Sequence, residues 1–320
     1  MKKIALPLFG LLFSTLIFTA PLNAADPGDD AVGTGIVANS DEFIVQTKIV
    51  DAQKEKEGSD YKLFLLDGRV AVVSNPNVET VQQLKEAVDN RSLLSFVLKE
   101  GNFKVVSFDV LEQTTDSEEV RFTDKLDPDF VLYTLGLKDV VTRQEMQSAF
   151  NRQHNQFVGP RLRFRRNAAS QCFRRAHVWS YEMEKDLNIA TKKVFLMYGN
   201  LCMNGWWFHV SPYVNMQDES GKITEMAMDK EFFNSPVDLH QWSRKFVNVR
   251  GKCKELEYNQ YNIYQREKRN ACCHLIKTSR FYFYPTDMDT ATRNPSKDIT
   301  AWGNMHNAYS ELYPVSDRRF

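Results

Sequence analysis

Neither sign of charge is in excess in this 320-residue chain, where 41 Lys and Arg balance 41 Asp and Glu. A net charge of zero leaves no electrostatic footprint for nucleic acid or an acidic lipid surface, so neither is expected as a partner. Cysteine is scarce, at five residues, and histidine nearly so, at six. Neither type occurs before His154, so the N-terminal part offers no thiol or imidazole for chemistry. The cysteine spacing fits no common zinc pattern; no metal and no cofactor is expected. Internal repeats are lacking, and no second long apolar run follows the N-terminus.

The N-terminus itself has a clear pattern. Lys2 and Lys3 precede an apolar run from Ile4 to Thr19, and small residues lead to Ala24. This predicts a signal peptide over 1–24, cut after Ala24. The run is short for a membrane span and no basic stop-transfer patch follows, so the mature chain is expected to be exported and free of the membrane. Export permits disulfides. The odd cysteine count allows at most two bridges and leaves one free thiol. If Cys172 is that thiol, Cys202, Cys253, Cys272 and Cys273 have three possible pairings. A bridge between neighbours Cys272 and Cys273 needs unusual backbone geometry, so each is expected to pair elsewhere.

Residues 25–40 are polar and rich in Gly and Asp, and read as a flexible leader. Strands are predicted over Phe43–Val50, Tyr61–Leu66 and Val70–Val73, the last two joined by an Asp67-Gly68 hairpin turn. Asn75-Pro76-Asn77 opens a helix with Val81, Leu84 and Val88 on one face. A hairpin of Leu93–Leu98 and Phe103–Leu111 turns at Gly101-Asn102. Residues 41–113 therefore read as a small α+β N-terminal domain. An acidic, polar linker over 114–134 contains Asp127-Pro128 and is open to proteases. Residues 135–320 form the remaining domain. There Thr142 to Glu145 fits a helix capping box, and the basic run Arg161–Arg166 reads as a half-exposed strand.

Chemistry-bearing residues collect after this point. Ser170 is a good N-cap for a helix starting near Cys172 and running to about Leu187. The positive end of that helix, with Arg174 and Arg175, favours a thiolate nucleophile at Cys172. Strands follow over Lys193–Tyr198, Trp206–Met216 and Ile223–Asp229. The loop Gln217–Gly221 joins the last two. A hairpin centred on Glu219 sets His209 directly opposite Asp229 on one face. A carboxylate beside an imidazole, and an imidazole near a helix-start thiol, make a Cys172-His209-Asp229 triad. The Cys172 backbone N–H would contribute to the oxyanion hole. On this register Trp207 shares the His209 face and is expected to line the substrate channel, while Trp206 falls in the core. His177 is expected to be structural. His154, His240, His274 and His306 read as surface or loop residues, Arg266, Lys268 and Arg269 as a solvated face, and Phe281–Tyr284 as a strand.

Several stretches together resemble the secreted bacterial protein-glutamine glutaminases, which are protein deamidases. They are Arg163-Phe164-Arg165, Cys172-Phe173-Arg174-Arg175-Ala176-His177, and Tyr198-Gly199-Asn200-Leu201. Trp206, His209-Val210, Asp229, Phe232 or Phe233, Ser235-Pro236-Val237 and Trp242 follow in the same order. The resemblance spans roughly Leu135 to Arg244. It implies an α+β core like that of transglutaminases and papain, with a cysteine-bearing helix on an antiparallel sheet. It implies Cys172 as nucleophile, His209 as base and Asp229 as orienting group. It also implies a glutamine-bearing protein or peptide as substrate, and an N-terminal pro-region that blocks the cleft. Lys230 stands where the family has proline, and Trp207 where it has a small residue. A transglutaminase or a cysteine protease would use the same triad, and an exported binding protein could keep the fold without the activity. Nothing in the sequence sets an oligomeric state.

Overall fold

The computed structural model describes residues 41–55, 58–111, 136–157, 172–203, 205–247, 252–297, 299, 302–305 and 308. The signal peptide, leader, linker, Arg161–Arg166 strand and Ser170 cap expected from the sequence lie outside the described residues, as do the side chains of His154 and His306.

The first layer is an antiparallel sheet of five strands, β1 (Glu42–Lys54), β2 (Tyr61–Leu65), β3 (Val70–Val73), β4 (Leu93–Lys99) and β5 (Val105–Val110), ordered β3-β2-β1-β4-β5. The β2–β3 turn rests on Gly68, whose φ of +98° suits glycine. Helix α1 (Val78–Asp89) starts where the Asn77 side chain accepts the Thr80 N–H at 2.7 Å. It buries Leu84 and Ala87 against a core that includes Phe43, Leu63, Leu65 and Phe96.

The second layer carries β6 (Val140–Thr142), β7 (Lys192–Tyr198), β8 (Phe208–Gln217), β9 (Ile223–Ala227), β10 (Val237–Asp238), β11 (Lys254–Glu257) and β12 (Cys273–Ser279). Their order is β10-β9-β8-β7-β12-β11, with β6 also paired to β8. The β6–β8 and β11–β12 pairs are parallel and the others antiparallel. Helix α2 (Arg143–Phe157) begins at the expected capping box, in which the Thr142 N–H meets Glu145 Oε2 at 2.9 Å and the Glu145 N–H meets Thr142 Oγ1 at 3.2 Å. Helices α3 (Cys172–Leu187), α4 (Leu239–Phe246), α5 (Tyr261–Glu267) and α6 (Pro285–Arg293) follow. Strand β7 reads as one apolar run because both its faces are covered. Phe195 and Met197 join the core around α3, while Val194, Leu196 and Tyr198 join a second core with Trp242.

Two disulfides, Cys202–Cys272 and Cys253–Cys273, hold separate segments to the adjacent cysteines, and Cys172 is the cysteine left free. Gly199 is needed beside the first bridge, since a Cβ there would lie 2.1 Å from the Ala271 carbonyl oxygen.

Several expectations are corrected. Phe281–Tyr284 is no strand. Pro285 opens α6 immediately afterwards, and the strand is Cys273–Ser279, just before. His274 lies on that strand, 1% exposed, with its imidazole 3.0 Å from Glu267. Lys268 is also no solvated cation, because its ammonium pairs with Asp51 at 3.0 Å. Trp206 is half-buried, under the guanidinium of Arg69 and edge-on to Phe103.

The two layers meet through side chains and backbone. Phe64 and Val70 enter the core that contains Phe173, Trp207 and Phe208. The Val70 N–H donates to the Gly205 carbonyl at 2.8 Å, and the Trp207 N–H to the Gly68 carbonyl at 3.1 Å.

Candidate active site

Helix α3 packs one side on β8, and its first residue, Cys172, is 5% exposed. Phe173, Ala176 and Trp179 fill the core below it. The first N–H groups of a helix have no partner within it, so they are free to face an anion. Along β8 the side chains alternate. Phe208, Val210 and Val214 join the α3 core, while Tyr213 joins the opposite one and His209 packs on Trp242.

The β8–β9 hairpin is shifted by two residues from the expected register. Its turn is centred on Ser220, and Tyr213 pairs with Ala227. The Asp218 carboxylate causes the shift. It accepts the Ser220 N–H and hydroxyl and the Lys222 N–H, and Gly221 takes the left-handed position at φ +84°. An even shift keeps every face assignment. Asp229 is therefore not a ladder partner of His209. It lies beyond the end of β9, in a turn where the Phe232 and Phe233 N–H groups donate to its carbonyl. That turn returns its carboxylate to the imidazole, with His209 Nε2 and Asp229 Oδ2 2.7 Å apart.

His209 is 7% exposed and Asp229 2%. Burial pushes the His209 pKa down, but the Asp229 charge and hydrogen bond and a hydrogen bond with Cys172 outweigh it and raise it to about 9. Tyr198 lies near both groups. Its phenol pKa is pushed up by burial and then by the Cys172 and Asp229 charges.

Aromatic rings enclose the imidazole. Trp242 stacks on it at 5.6 Å, Phe246 lies at 4.4 Å, and Phe232 meets it edge-on at 5.1 Å. The Trp242 indole N–H also donates to Asp229 Oδ2 at 2.9 Å. Sequence reasoning gave these rings no place in the site. The available signal was the four-residue spacing of Trp242 and Phe246 after Asp238, which caps α4 by accepting the His240 and Gln241 N–H groups.

Trp207 is placed differently from the expectation. It precedes β8, so the alternation that governs His209 does not reach it. It is 2% exposed, its indole N–H donates to the Leu65 carbonyl at 2.8 Å, and its ring meets Phe64 edge-on. First-layer residues thus cover it. Lys230 lies with its ammonium 4.2 Å from the Phe150 ring centre, and burial lowers its pKa.

His177 lies inside α3, fully buried. Its Nε2 is 2.7 Å from the Gly303 carbonyl and its Nδ1 2.6 Å from the Lys193 ammonium, which also donates to the Tyr282 carbonyl. Both partners of that pair have pKa values lowered by burial. Among the described residues, no group of three or more His, Cys, Asp or Glu side chains gathers in a form that could hold a metal ion.

Comparison with known proteins adds to this geometry. Residues 146–246 match a family described as glutaminase. No curated protein matches the chain. Among solved structures, a mutant of pro-protein-glutaminase matches at a TM-score of 0.50 and 17% identity, covering 83% of this chain and 90% of that one. The crystal structure of pro-protein-glutaminase matches at 0.49 with the same identity and coverage. The NMR structure of protein-glutaminase from Chryseobacterium proteolyticum matches at 0.36 and 20% identity, covering 56% of this chain and 90% of that one. At this identity the first of these shows the fold, the transglutaminase-like α+β class expected from the sequence.

Proposed function

Taking as premise that residues 146–246 belong to a glutaminase family, and so to the amidohydrolases, we propose that this protein deamidates glutamine side chains of proteins through Cys172, His209 and Asp229. The observation that carries this reading is the imidazole held at 2.7 Å by Asp229 and hydrogen-bonded to the one free cysteine. Asp229 occupies Nε2, which leaves Nδ1 for Cys172. With a pKa near 9 the imidazole keeps its proton at neutral pH and balances a thiolate beside it.

The sulfur attacks the side-chain carboxamide carbon. The oxygen of the tetrahedral intermediate is met by the Cys172 N–H at the open end of α3. His209 gives its proton to the leaving nitrogen, the carbon–nitrogen bond breaks, and ammonia departs. A thioester to Cys172 remains. His209 then takes a proton from water, whose oxygen attacks the thioester carbon, and glutamate leaves as the thiolate and imidazolium re-form. No metal or cofactor enters these steps.

We read residues 41–113 as a separable domain that restrains the site. It covers Trp207, two residues before His209, with the Leu65 and Gly68 carbonyls and the Phe64 ring. The similar fold of a solved pro-protein-glutaminase mutant fits that reading. Cleavage within 114–134 would release the restraint and open the site to a protein substrate. An N-terminal signal over 1–24 and two disulfides fit an exported enzyme. Among the described residues no helix is long and apolar enough to cross a membrane.

Mass spectrometry of a glutamine-bearing protein treated with the cleaved chain tests the reaction. A gain of about one dalton per modified glutamine is expected when oxygen replaces nitrogen. Cross-linked chains would make the enzyme a transglutaminase, and cut chains a protease. An unmodified protein would remove the proposal.

A further inference from the structure

Asp229 leaves β9 before it reaches His209, so no strand ladder fixes its carboxylate. A carboxylate on a turn can rotate, and an orienting group that rotates holds its imidazole poorly. The structure supplies a second constraint. Asp229 Oδ2 accepts two hydrogen bonds, from His209 Nε2 at 2.7 Å and from Trp242 Nε1 at 2.9 Å. Both donors therefore point at one oxygen, and the indole ring lies 25° from the imidazole plane.

The indole is itself rigidly placed. Trp242 is 0% exposed. Its helix α4 starts at the Asp238 cap and follows β10, whose Val237 pairs with Ala227 of β9. Asp229 follows the same strand by two residues. One short ladder thus sets the positions of both the carboxylate and the indole. An ordinary core position would be filled as well by phenylalanine, which has no N–H to donate. Phe246, one helical turn on, packs beside the indole, 5.6 Å from it, and also lies against the imidazole. Together the rings keep water from the hydrogen bond between His209 and Asp229, where a low local dielectric strengthens it.

We propose that Trp242 is a positioning residue that acts through Asp229: its indole N–H locks the carboxylate in the one orientation that holds His209 for proton transfer. The inference rests on the deamidase reading above and names a group that reading does not use. It makes the indole N–H, rather than the bulk of the ring, the feature that matters for turnover.

A double-mutant cycle on the cleaved chain tests it, with ammonia release from a blocked glutamine peptide as the assay. Trp242→Phe keeps most of the ring packing and removes the donor. In the wild-type background it is expected to lower kcat about tenfold to a hundredfold with little change in KM, as for a lost hydrogen bond to a charged group. In an Asp229→Ala background the same substitution is expected to cost less than about twofold, because its target is gone. Equal losses in both backgrounds would show a merely structural tryptophan and overturn the proposal. If Trp242→Phe fails to fold, 3-benzothienylalanine at position 242 preserves the ring shape and deletes the donor. Wild-type kcat in that variant would equally overturn the proposal. Failure of the deamidase reading is distinct, since the wild-type chain would then release no ammonia at all.

Discussion

Replacing Asp229 by alanine should collapse the charge state of His209, and the size of the effect follows from the site. With Asp229 present the imidazole titrates near 9, against an ordinary value of 6.5. With Asp229 gone, burial is opposed only by Cys172, so Asp229→Ala should bring the pKa down towards 6.5. At pH 8 a pKa near 9 leaves about nine-tenths of His209 protonated, and a pKa of 6.5 about 3%. A return to 6.5 would lower activity at pH 8 about thirtyfold from lost protonation, with misorientation of the ring adding to it. The assay is kcat/KM for ammonia release from a blocked glutamine peptide across pH 5 to 10. The wild-type profile should fall above about pH 9, where the imidazolium is lost, and the variant's alkaline limb should move down towards 6.5. Stability should follow with the matching sign. A pKa raised on folding contributes stability that is complete below 6.5 and lost as pH rises through 9. An alkaline limb that stays near 9 in Asp229→Ala would refute the account of this pair.

Two further outcomes are expected. Replacing Cys202 and Cys272 together by serine opens a loop with a sequence separation of 70 and should cost about 4 kcal/mol of stability, read as a lower urea midpoint with a steeper slope, because the unlinked unfolded chain exposes more surface; an unchanged midpoint would contradict this. Limited proteolysis within residues 114–134 should raise activity and red-shift the tryptophan fluorescence, because release of the first layer uncovers Trp207. Equal activity before and after cleavage would make the first layer an accessory module rather than a restraint.

Much of the fold was legible wherever one local rule decided the outcome. Asp67-Gly68 forces a turn, Thr142 and Glu145 cap a helix, and the alternation along β8 separates His209 from Phe208 and Val210. Loop symmetry, by contrast, misjudged the β8–β9 register. The Asp218 side chain moves the turn centre by one residue, and loop symmetry takes no account of such a side-chain bond. Trp207 was misplaced for a related reason, since an alternation read on β8 was carried one residue beyond its start. The burial of His274 and Lys268 depends on partners far away in sequence or on a strand placed elsewhere, and periodicity carries neither. The aromatic enclosure was least legible. Phe232 comes from a turn and Trp242 and Phe246 from a helix, and the three meet at His209 only once β9 and β10 pair.

The most direct measurement is ammonia release from a glutamine-bearing protein by the cleaved chain, with Cys172→Ala compared at equal concentration and with folding checked by circular dichroism. Steady release by the wild type and none above background by the folded variant is the predicted result. Undiminished release by Cys172→Ala would contradict the claim that this sulfur attacks the amide.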